Sequence, residues 1–254
     1  MRVTFLGTGT SQGVPVIACP CDVCHSTDPY DKRLRSSVLV ENKETTLVID
    51  SGPDFRQQML RENVTRLDTI LFTHEHKDHI AGLDDVRAFN FIQKKPMDIW
   101  AEPRVQYAIR REFAYVFAEY KYPGVPQINL HRIESGCNFK VNSLEIIPIR
   151  VYHYRLPIFG FRIGPVTYVT DANYIPKGDI KKIKGTKILI LNALRKKKHL
   201  THFNLEEALD IVRIIRPEQA YFTHISHLMG FHREVQAELP ENVFLAYDGL
   251  KIEI

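Results

Sequence analysis

No stretch of the 254-residue sequence approaches the roughly 18 uncharged apolar residues of a membrane span, which argues against a helical membrane protein. The start, Met1-Arg2-Val3-Thr4-Phe5-Leu6-Gly7, lacks the long apolar segment and small-residue cleavage site of a secretory signal. The chain is therefore expected in the cytoplasm, with its four cysteines reduced. Net charge is scarce too: 34 Lys and Arg against 30 Asp and Glu leave +4, too little to point to a nucleic-acid partner. There is no Ser/Gly linker, low-complexity block or repeat of fixed period, so residues 1–254 are read as one domain. That length suffices for a full hydrophobic core, and the 44% hydrophobic and 25% charged fractions are those of a globular protein.

What is present is a set of short β-branched runs that end in polar residues. Thr46–Ile49 precedes Asp50, Thr69–Phe72 precedes His74, Val166–Val169 precedes Asp171, and Ala220–Phe222 precedes His224. This predicts a sheet whose strand ends converge. Between the runs lie helical patterns. Leu205, Ala208, Leu209, Val212 and Ile215 share one face, opened by Asn204 with Glu207 three residues on and closed by Pro217. A second face carries Val105, Ile109, Phe113, Val116 and Phe117, begins after Pro103 and is predicted to run until Pro123-Gly124.

The segment Thr73-His74-Glu75-His76-Lys77-Asp78-His79 places three imidazoles and a carboxylate just past a buried run. Such crowding is favourable around divalent cations, and neutral imidazole with carboxylate suits several first-row metals. Partners must come from elsewhere, and His153, Asp171 and His224 each follow an apolar run. A second cluster, Cys19-Pro20-Cys21-Asp22-Val23-Cys24, holds three thiols too close together for relaxed disulfides, and reads as a structural zinc site short of one ligand. His25 is one candidate, strained by abutting Cys24, and Cys137 stands alone. Arg195-Lys196-Lys197-Lys198 reads first as a solvated loop and second as a field attracting a phosphate. Arg33, Arg35, Ser36 and Ser37 are candidate phosphate contacts.

His-x-His-x-Asp-His with a later His, Asp and His resembles the metallo-β-lactamase superfamily. The resemblance implies an α/β fold of the αββα sandwich type. It implies two divalent ions, zinc or manganese, one on His74, His76 and His153, the other on Asp78, His79 and His224, with Asp171 bridging. Asp50, in Asp50-Ser51-Gly52, would orient the ligand loop by hydrogen bonds. His76 stands where the superfamily's oxygen-reducing branch has Glu, which favours hydrolysis.

The start Gly7 to Pro15 followed by Cys-x-Cys-x-x-Cys is similar to the cyclic phosphodiesterases associated with carbon-phosphorus lyase. By that likeness His227 completes a structural zinc site with Cys19, Cys21 and Cys24. His202 matches a catalytic His shared with the related tRNase Z enzymes. The catalytic residues implied are His202, as general acid, and Asp78, which is also a ligand. For His199 no role is implied.

The expected activity is metal-dependent hydrolysis of small cyclic phosphodiesters, of the phosphoribosyl 1,2-cyclic phosphate or 2′,3′-cyclic nucleotide type, by an ion-activated hydroxide. A homodimer is allowed by the resemblance alone. The alternatives are a tRNase Z-like endoribonuclease, which normally carries a long Gly/Pro-rich arm that this sequence lacks, and a noncatalytic metal-bound interaction module.

Overall fold

A computed structural model describes residues 1–254. The first half of the chain supplies strands β1 (Arg2–Gly7), β2 (Ser37–Glu41), β3 (Thr46–Ile49), β4 (Thr69–Leu71), β5 (Met97–Ala101) and β6 (Ile128–Arg132). The second supplies β7 (Phe139–Val141), β8 (Leu144–His153), β9 (Leu156–Ile163), β10 (Val166–Val169), β11 (Ile188–Asn192), β12 (Gln219–Thr223) and β13 (Val243–Leu245). The last strand, β14 (Lys251–Glu253), returns to the first sheet. Two seven-stranded sheets result, in the orders β14-β1-β2-β3-β4-β5-β6 and β13-β12-β11-β10-β9-β8-β7. Each starts antiparallel and becomes parallel: β3, β4, β5 and β6 run together in one sheet, and β10, β11, β12 and β13 in the other.

Alternation along the strands builds three apolar layers. Val3, Phe5, Ile49 and Leu71 face Phe159, Phe161, Tyr168 and Ile190 between the sheets. Val48, Ile70 and Ile99 turn outward onto helices α2 (Phe55–Arg61), α4 (Arg87–Gln93) and α5 (Pro103–Glu112), through Phe55, Met59, Phe89, Val105 and Ile109. The other sheet packs Val169, Leu191 and Phe222 on Ile183 of α6 (Lys177–Ile183), Ala208 and Val212 of α7 (Leu205–Ile215) and Val235 of α8 (His232–Glu238). This is an αββα sandwich, as the resemblance implies. No helix is long and apolar enough to cross a membrane.

Helix α7 matches the sequence reading, including its cap: Asn204 Oδ1 accepts from Glu207 N at 2.8 Å and Glu207 Oε2 accepts from Asn204 N at 3.1 Å. Helix α5 does not run to Pro123. It ends at Glu112, where Phe113 leaves helical dihedrals, and a 3-10 turn over Ala114–Val116 follows. Phe113 and Val116 remain buried in the outer layer, so the tighter turn keeps the predicted apolar face inward without a continuous helix.

Near the N-terminal loop Arg33 is wholly buried. It donates to Thr8 Oγ1 (2.8 Å), the Ala246 carbonyl (2.6 Å) and His232 Nδ1 (3.0 Å). Burial, reinforced by the Arg33 charge, pushes the His232 pKa down to about 4, with Asp31 and Asp28 pulling weakly the other way and Arg233 adding to the depression. The ordinary value is about 6.5. The folded state therefore binds fewer protons here than the unfolded chain between these limits, and stability rises with pH across that window. His232 contributes fully above pH about 6.5, and that contribution is lost as pH falls toward 4. Urea midpoints compared at pH 7 and pH 4.5 should fall less for His232→Gln than for the unaltered protein. An equal fall in both would show that His232 is not linked to folding.

Candidate metal centre

Five strand ends feed one site, and three of them turn there through non-glycine residues with left-handed dihedrals: Asp50 after β3 (φ 65°), Asp171 after β10 (φ 59°) and His224 after β12 (φ 56°). Such conformations cost free energy and cluster at functional sites. β4 runs into the His74–His79 loop, whose last part is the short helix α3 (Lys77–Ile80), and β8 ends on His153.

Asp50 is fully buried beneath this loop. Its Oδ1 accepts from Thr73 N (2.9 Å), and Oδ2 accepts from Thr73 Oγ1 (2.8 Å) and faces His79 Nδ1 (2.8 Å). The neighbouring Gly52 lies under Asp78: a Cβ built there would sit 2.1 Å from the Asp78 carbonyl oxygen. Gly52→Ala must displace the ligand loop. Overpacking of this kind costs about 1–3 kcal/mol, or roughly 2–4 °C of melting temperature per kcal/mol. Active-site metal stoichiometry should fall as well, and an unchanged melting curve and metal content would contradict this account.

The structure brings all seven expected active-site ligands together. Asp171 stands at the centre with its two oxygens divided between them. Oδ1 faces His224 Nδ1 (3.1 Å) and His79 Nε2 (3.5 Å), while Oδ2 faces His202 Nε2 (3.3 Å) and His74 Nε2 (3.8 Å). Donor atoms of Asp78, His79, Asp171 and His224 all lie within 4.8 Å of one another. On the other side His74 Nε2 is 3.0 Å from His76 Nδ1, and the His76 and His153 rings are 5.1 Å apart between centroids.

Several of these imidazoles are held by one nitrogen and present the other to the centre. His74 Nδ1 meets Thr73 Oγ1 (2.9 Å), His153 Nδ1 meets the Thr201 carbonyl (2.9 Å), and His224 Nε2 meets Thr10 Oγ1 (3.3 Å). Such outer contacts fix ring orientation and tautomer. Two inward nitrogens, His79 Nε2 and His224 Nδ1, are buried with no hydrogen-bond partner. Buried polar atoms are rarely left unpaired, and two such atoms beside carboxylates are what a cation satisfies. The donor set therefore fits divalent metal.

The electrostatics agree. Burial opposes charge on His79, but the carboxylates of Asp78, Asp171 and Asp50 outweigh it and hold its pKa well above normal. The three acids make the centre a place for positive charge. Burial, with the neighbouring His79, keeps His74 well below its ordinary value and hence neutral, the form in which imidazole binds metal.

His202 is buried among the ligands, closer than its assignment as a separate acid suggested. Its ring stacks on His224 (4.9 Å, 13°) and lies 4.6 Å from His153. His153, Asp171 and His202 form a third group whose donor atoms lie within 4.8 Å of one another. His199, given no role by the sequence, reaches His202 through Nδ1 at 3.2 Å.

The structure brings the three clustered thiols together with His227. His227 Nδ1 lies 3.3 Å from Cys19 Sγ and 3.2 Å from Cys21 Sγ, and the donor atoms of Cys19, Cys21, Cys24 and His227 fall within 4.8 Å of one another. His227 pulls the Cys21 thiol down to about 6, whereas burial pushes Cys24 up to about 11. His25 is turned away, its Nδ1 on the Cys21 carbonyl (3.0 Å).

The candidate phosphate contacts are engaged within the protein. Arg33 is buried as described, Arg35 pairs with Asp54 (3.0 Å), Ser36 Oγ donates to the Gly9 carbonyl (2.9 Å) and Ser37 Oγ to the Asp50 carbonyl (2.8 Å). In the basic run, Arg195 donates to the carbonyls of Lys197 and Lys198, and Lys196 pairs with Glu238.

Sequence reading passed over the threonines. Thr73, Thr170, Thr201 and Thr223 each precede a site residue, and that recurring Thr-His or Thr-Asp step was the available signal. A longer-range support was also missed. Glu75, inside the ligand loop, pairs with Arg104 (3.3 Å), Arg104 with Glu102 (2.9 Å), and Glu102 with Arg150 of β8 (3.0 Å).

Comparison with known proteins places this geometry. The family model described as a β-lactamase superfamily domain matches residues 45–225. A solved structure described as a new diphosphatase from the PhnP family is 39% identical with a TM-score of 0.93, over 100% of this chain and 97% of that one. An octanoyltransferase of Porphyromonas gingivalis is 39% identical over 253 residues, which cover 99% of this chain and 51% of that protein. A ribonuclease Z of Nostoc punctiforme is 27% identical over 74% of this chain and 52% of its own length. The chain spans about half the length of these curated relatives. By the family match and the sandwich with its crowded His/Asp centre, the chain belongs to the metallo-β-lactamase superfamily.

Proposed function

We propose that the protein is a metal-dependent phosphodiesterase acting on small cyclic phosphodiesters of the phosphoribosyl 1,2-cyclic phosphate or 2′,3′-cyclic nucleotide type. The observation that carries this reading is the division of Asp171, one oxygen toward each half of the ligand set, with His202 Nε2 3.3 Å from the oxygen that faces His74. An acid so placed lies against a ligand expected for each ion, His153 and His224. The names diphosphatase and ribonuclease among the relatives both denote cleavage at phosphorus, which supports phosphate over lactam, thioester or lactone substrates.

In this proposal His74, His76 and His153 would hold one divalent ion, Asp78, His79 and His224 the other, and Asp171 would serve both. Cys19, Cys21, Cys24 and His227 would hold a third ion, zinc, with a structural role. The active-site pair, zinc or manganese, would supply Lewis-acid polarisation of a phosphoryl oxygen and a water acidified to a pKa of about 7.

The protein's own residues do the rest. Asp50 and Thr73 fix the ligand loop, so that the site is preorganised before substrate arrives. Asp78, a carboxylate among the ligands, would accept a hydrogen bond from the attacking water. His202 donates its Nε2 proton to the departing ribose oxygen.

The test is hydrolysis of 2′,3′-cyclic nucleotides, bis(p-nitrophenyl) phosphate and a diphosphate ester by protein reconstituted with manganese or zinc. Turnover of the cyclic esters supports the proposal. Preference for the diphosphate would move the substrate class to that of the PhnP-family neighbour. Absence of turnover on all three, with two active-site ions bound, would sink the phosphodiesterase reading.

A further inference from the structure

Thr201 lies beside both the proton donor assigned above and an expected metal ligand, its hydroxyl toward the first and its carbonyl toward the second. Its carbonyl faces His153 Nδ1 at 2.9 Å and its hydroxyl faces His202 Nδ1 at 2.8 Å. The hydroxyl also lies 3.2 Å from His199 Nδ1, which accepts from the Thr201 amide at 3.4 Å. We propose that the Thr201 hydroxyl is the positioning group of His202, holding the ring by Nδ1 so that Nε2 faces Asp171 and the substrate. This rests on the reading of His202 as the proton donor.

The hydrogen-bond directions follow from the donors available. An amide N–H can only donate, so His199 Nδ1 is an acceptor. The Thr201 hydroxyl can then donate to His199 Nδ1 while its oxygen accepts from His202 Nδ1–H. The chain of bonds runs one way, from His202 through Thr201 to His199. With Nδ1 carrying a held proton, the proton free to move on His202 is the one on Nε2, on the Asp171 side (3.3 Å). No other side chain contacts His202 Nδ1 apart from His199, whose Nδ1 at 3.2 Å already accepts from Thr201. Without the hydroxyl the ring keeps its place in the stack on His224 but loses the contact that distinguishes its two nitrogens.

The backbone around Thr201 is fixed independently of its side chain. Asn173 Nδ2 donates to the Leu200 carbonyl (3.1 Å), and Phe203 N donates to the Ala172 carbonyl (2.7 Å). Removing the hydroxyl should therefore leave the carbonyl on His153, and with it the metal site, in place. That separates positioning of the donor from construction of the centre.

Thr201→Val keeps the shape and deletes the hydroxyl, and Thr201→Ser keeps the hydroxyl. For a phosphodiester that the unaltered protein hydrolyses, Thr201→Val should lower kcat about tenfold, within the range for loss of an orienting contact. KM, metal content and melting temperature should stay the same, and Thr201→Ser should restore kcat. Long-range ¹H–¹⁵N spectra of the zinc-loaded protein give a second readout. The His202 imidazole signals, identified by their loss in His202→Gln, should show a protonated Nδ1 in the unaltered protein and in Thr201→Ser, and a mixture of tautomers in Thr201→Val. Unchanged kcat in Thr201→Val, or failure of Ser to restore it, overturns the proposal while His202→Ala remains impaired. If His202→Ala itself is unimpaired, the reading of His202 as donor falls instead.

Discussion

His202→Ala should lower kcat for a ribose phosphodiester by about 10²–10⁴, the range for loss of a positioned general acid, while all seven active-site ligands and the active-site metal content remain. The backbone that carries His202 is pinned by Phe203 N on the Ala172 carbonyl at 2.7 Å, so the loss is confined to the ring. The informative comparison is between leaving groups. A ribose alkoxide needs a proton as it departs, whereas p-nitrophenolate is stable without one, so an acid's removal should hurt the ribose ester far more than bis(p-nitrophenyl) phosphate. The geometry supplies the rival outcome. His153, Asp171 and His202 could share a cation, and if His202 served as a ligand, its removal would depress both substrates alike and lower metal stoichiometry. Equal loss on both esters would therefore remove the general acid from the mechanism and leave a metal centre with an additional imidazole.

The order of legibility in this chain follows how local each cause is. Strand ends were readable because a run such as Thr69–Phe72 stops where its polar residues begin, and a strand covered on both faces is apolar along its whole length. Helix α7 was readable to its cap because Asn204 and Glu207 act within one turn. Helix α5 was overextended because Phe113 and Val116 do face the core at a helix-like interval; the 3-10 turn that follows Phe113 differs from α-helix in hydrogen bonds three residues back instead of four, which the apolar pattern does not report.

The ligands themselves were accessible through spacing and resemblance, but not the division of the two Asp171 oxygens, nor the left-handed turns at Asp50, Asp171 and His224, which depend on strands brought together from distant parts of the chain. Arg33 shows the same limit in reverse. Its residue type suggested a phosphate contact, yet tertiary packing closes Thr8, Ala246 and His232 around it and gives it to the core. Thr201 carries no distinguishing mark in sequence beyond preceding a histidine, and its importance arises from bonds on both sides.

His227→Ala should cost the protein one equivalent of zinc and a large share of its thermal stability. The four donors join the loop at Cys19–Cys24 to the segment immediately after β12, so a metal there ties two parts of the chain about two hundred residues apart. Structural zinc contributes to folding directly, about 10–16 kcal/mol in isolated zinc-finger peptides at neutral pH. Here only part of that should appear in global unfolding, because the Cys loop can detach while the sandwich stays folded. A loss of about 3 kcal/mol would lower the melting temperature by roughly 6–12 °C in a chain of this size.

The active centre should feel the change. Ile225, between the two histidines, pairs its amide with the Thr8 carbonyl (2.8 Å), its carbonyl accepts from Thr10 N (3.1 Å), and Thr10 Oγ1 touches His224 (3.3 Å). Loosening His227 thus reaches a proposed ligand three residues away, and kcat should fall less than in His202→Ala, with the melting temperature falling more. Metal analysis and calorimetry of His227→Ala beside Cys21→Ser test this directly, since both remove one ligand from the same cluster by different chemistry. If both variants kept the full metal count and the melting temperature of the unaltered protein, the thiols would be ordinary free cysteines, and the N-terminal loop would be held by its hydrogen bonds without a metal.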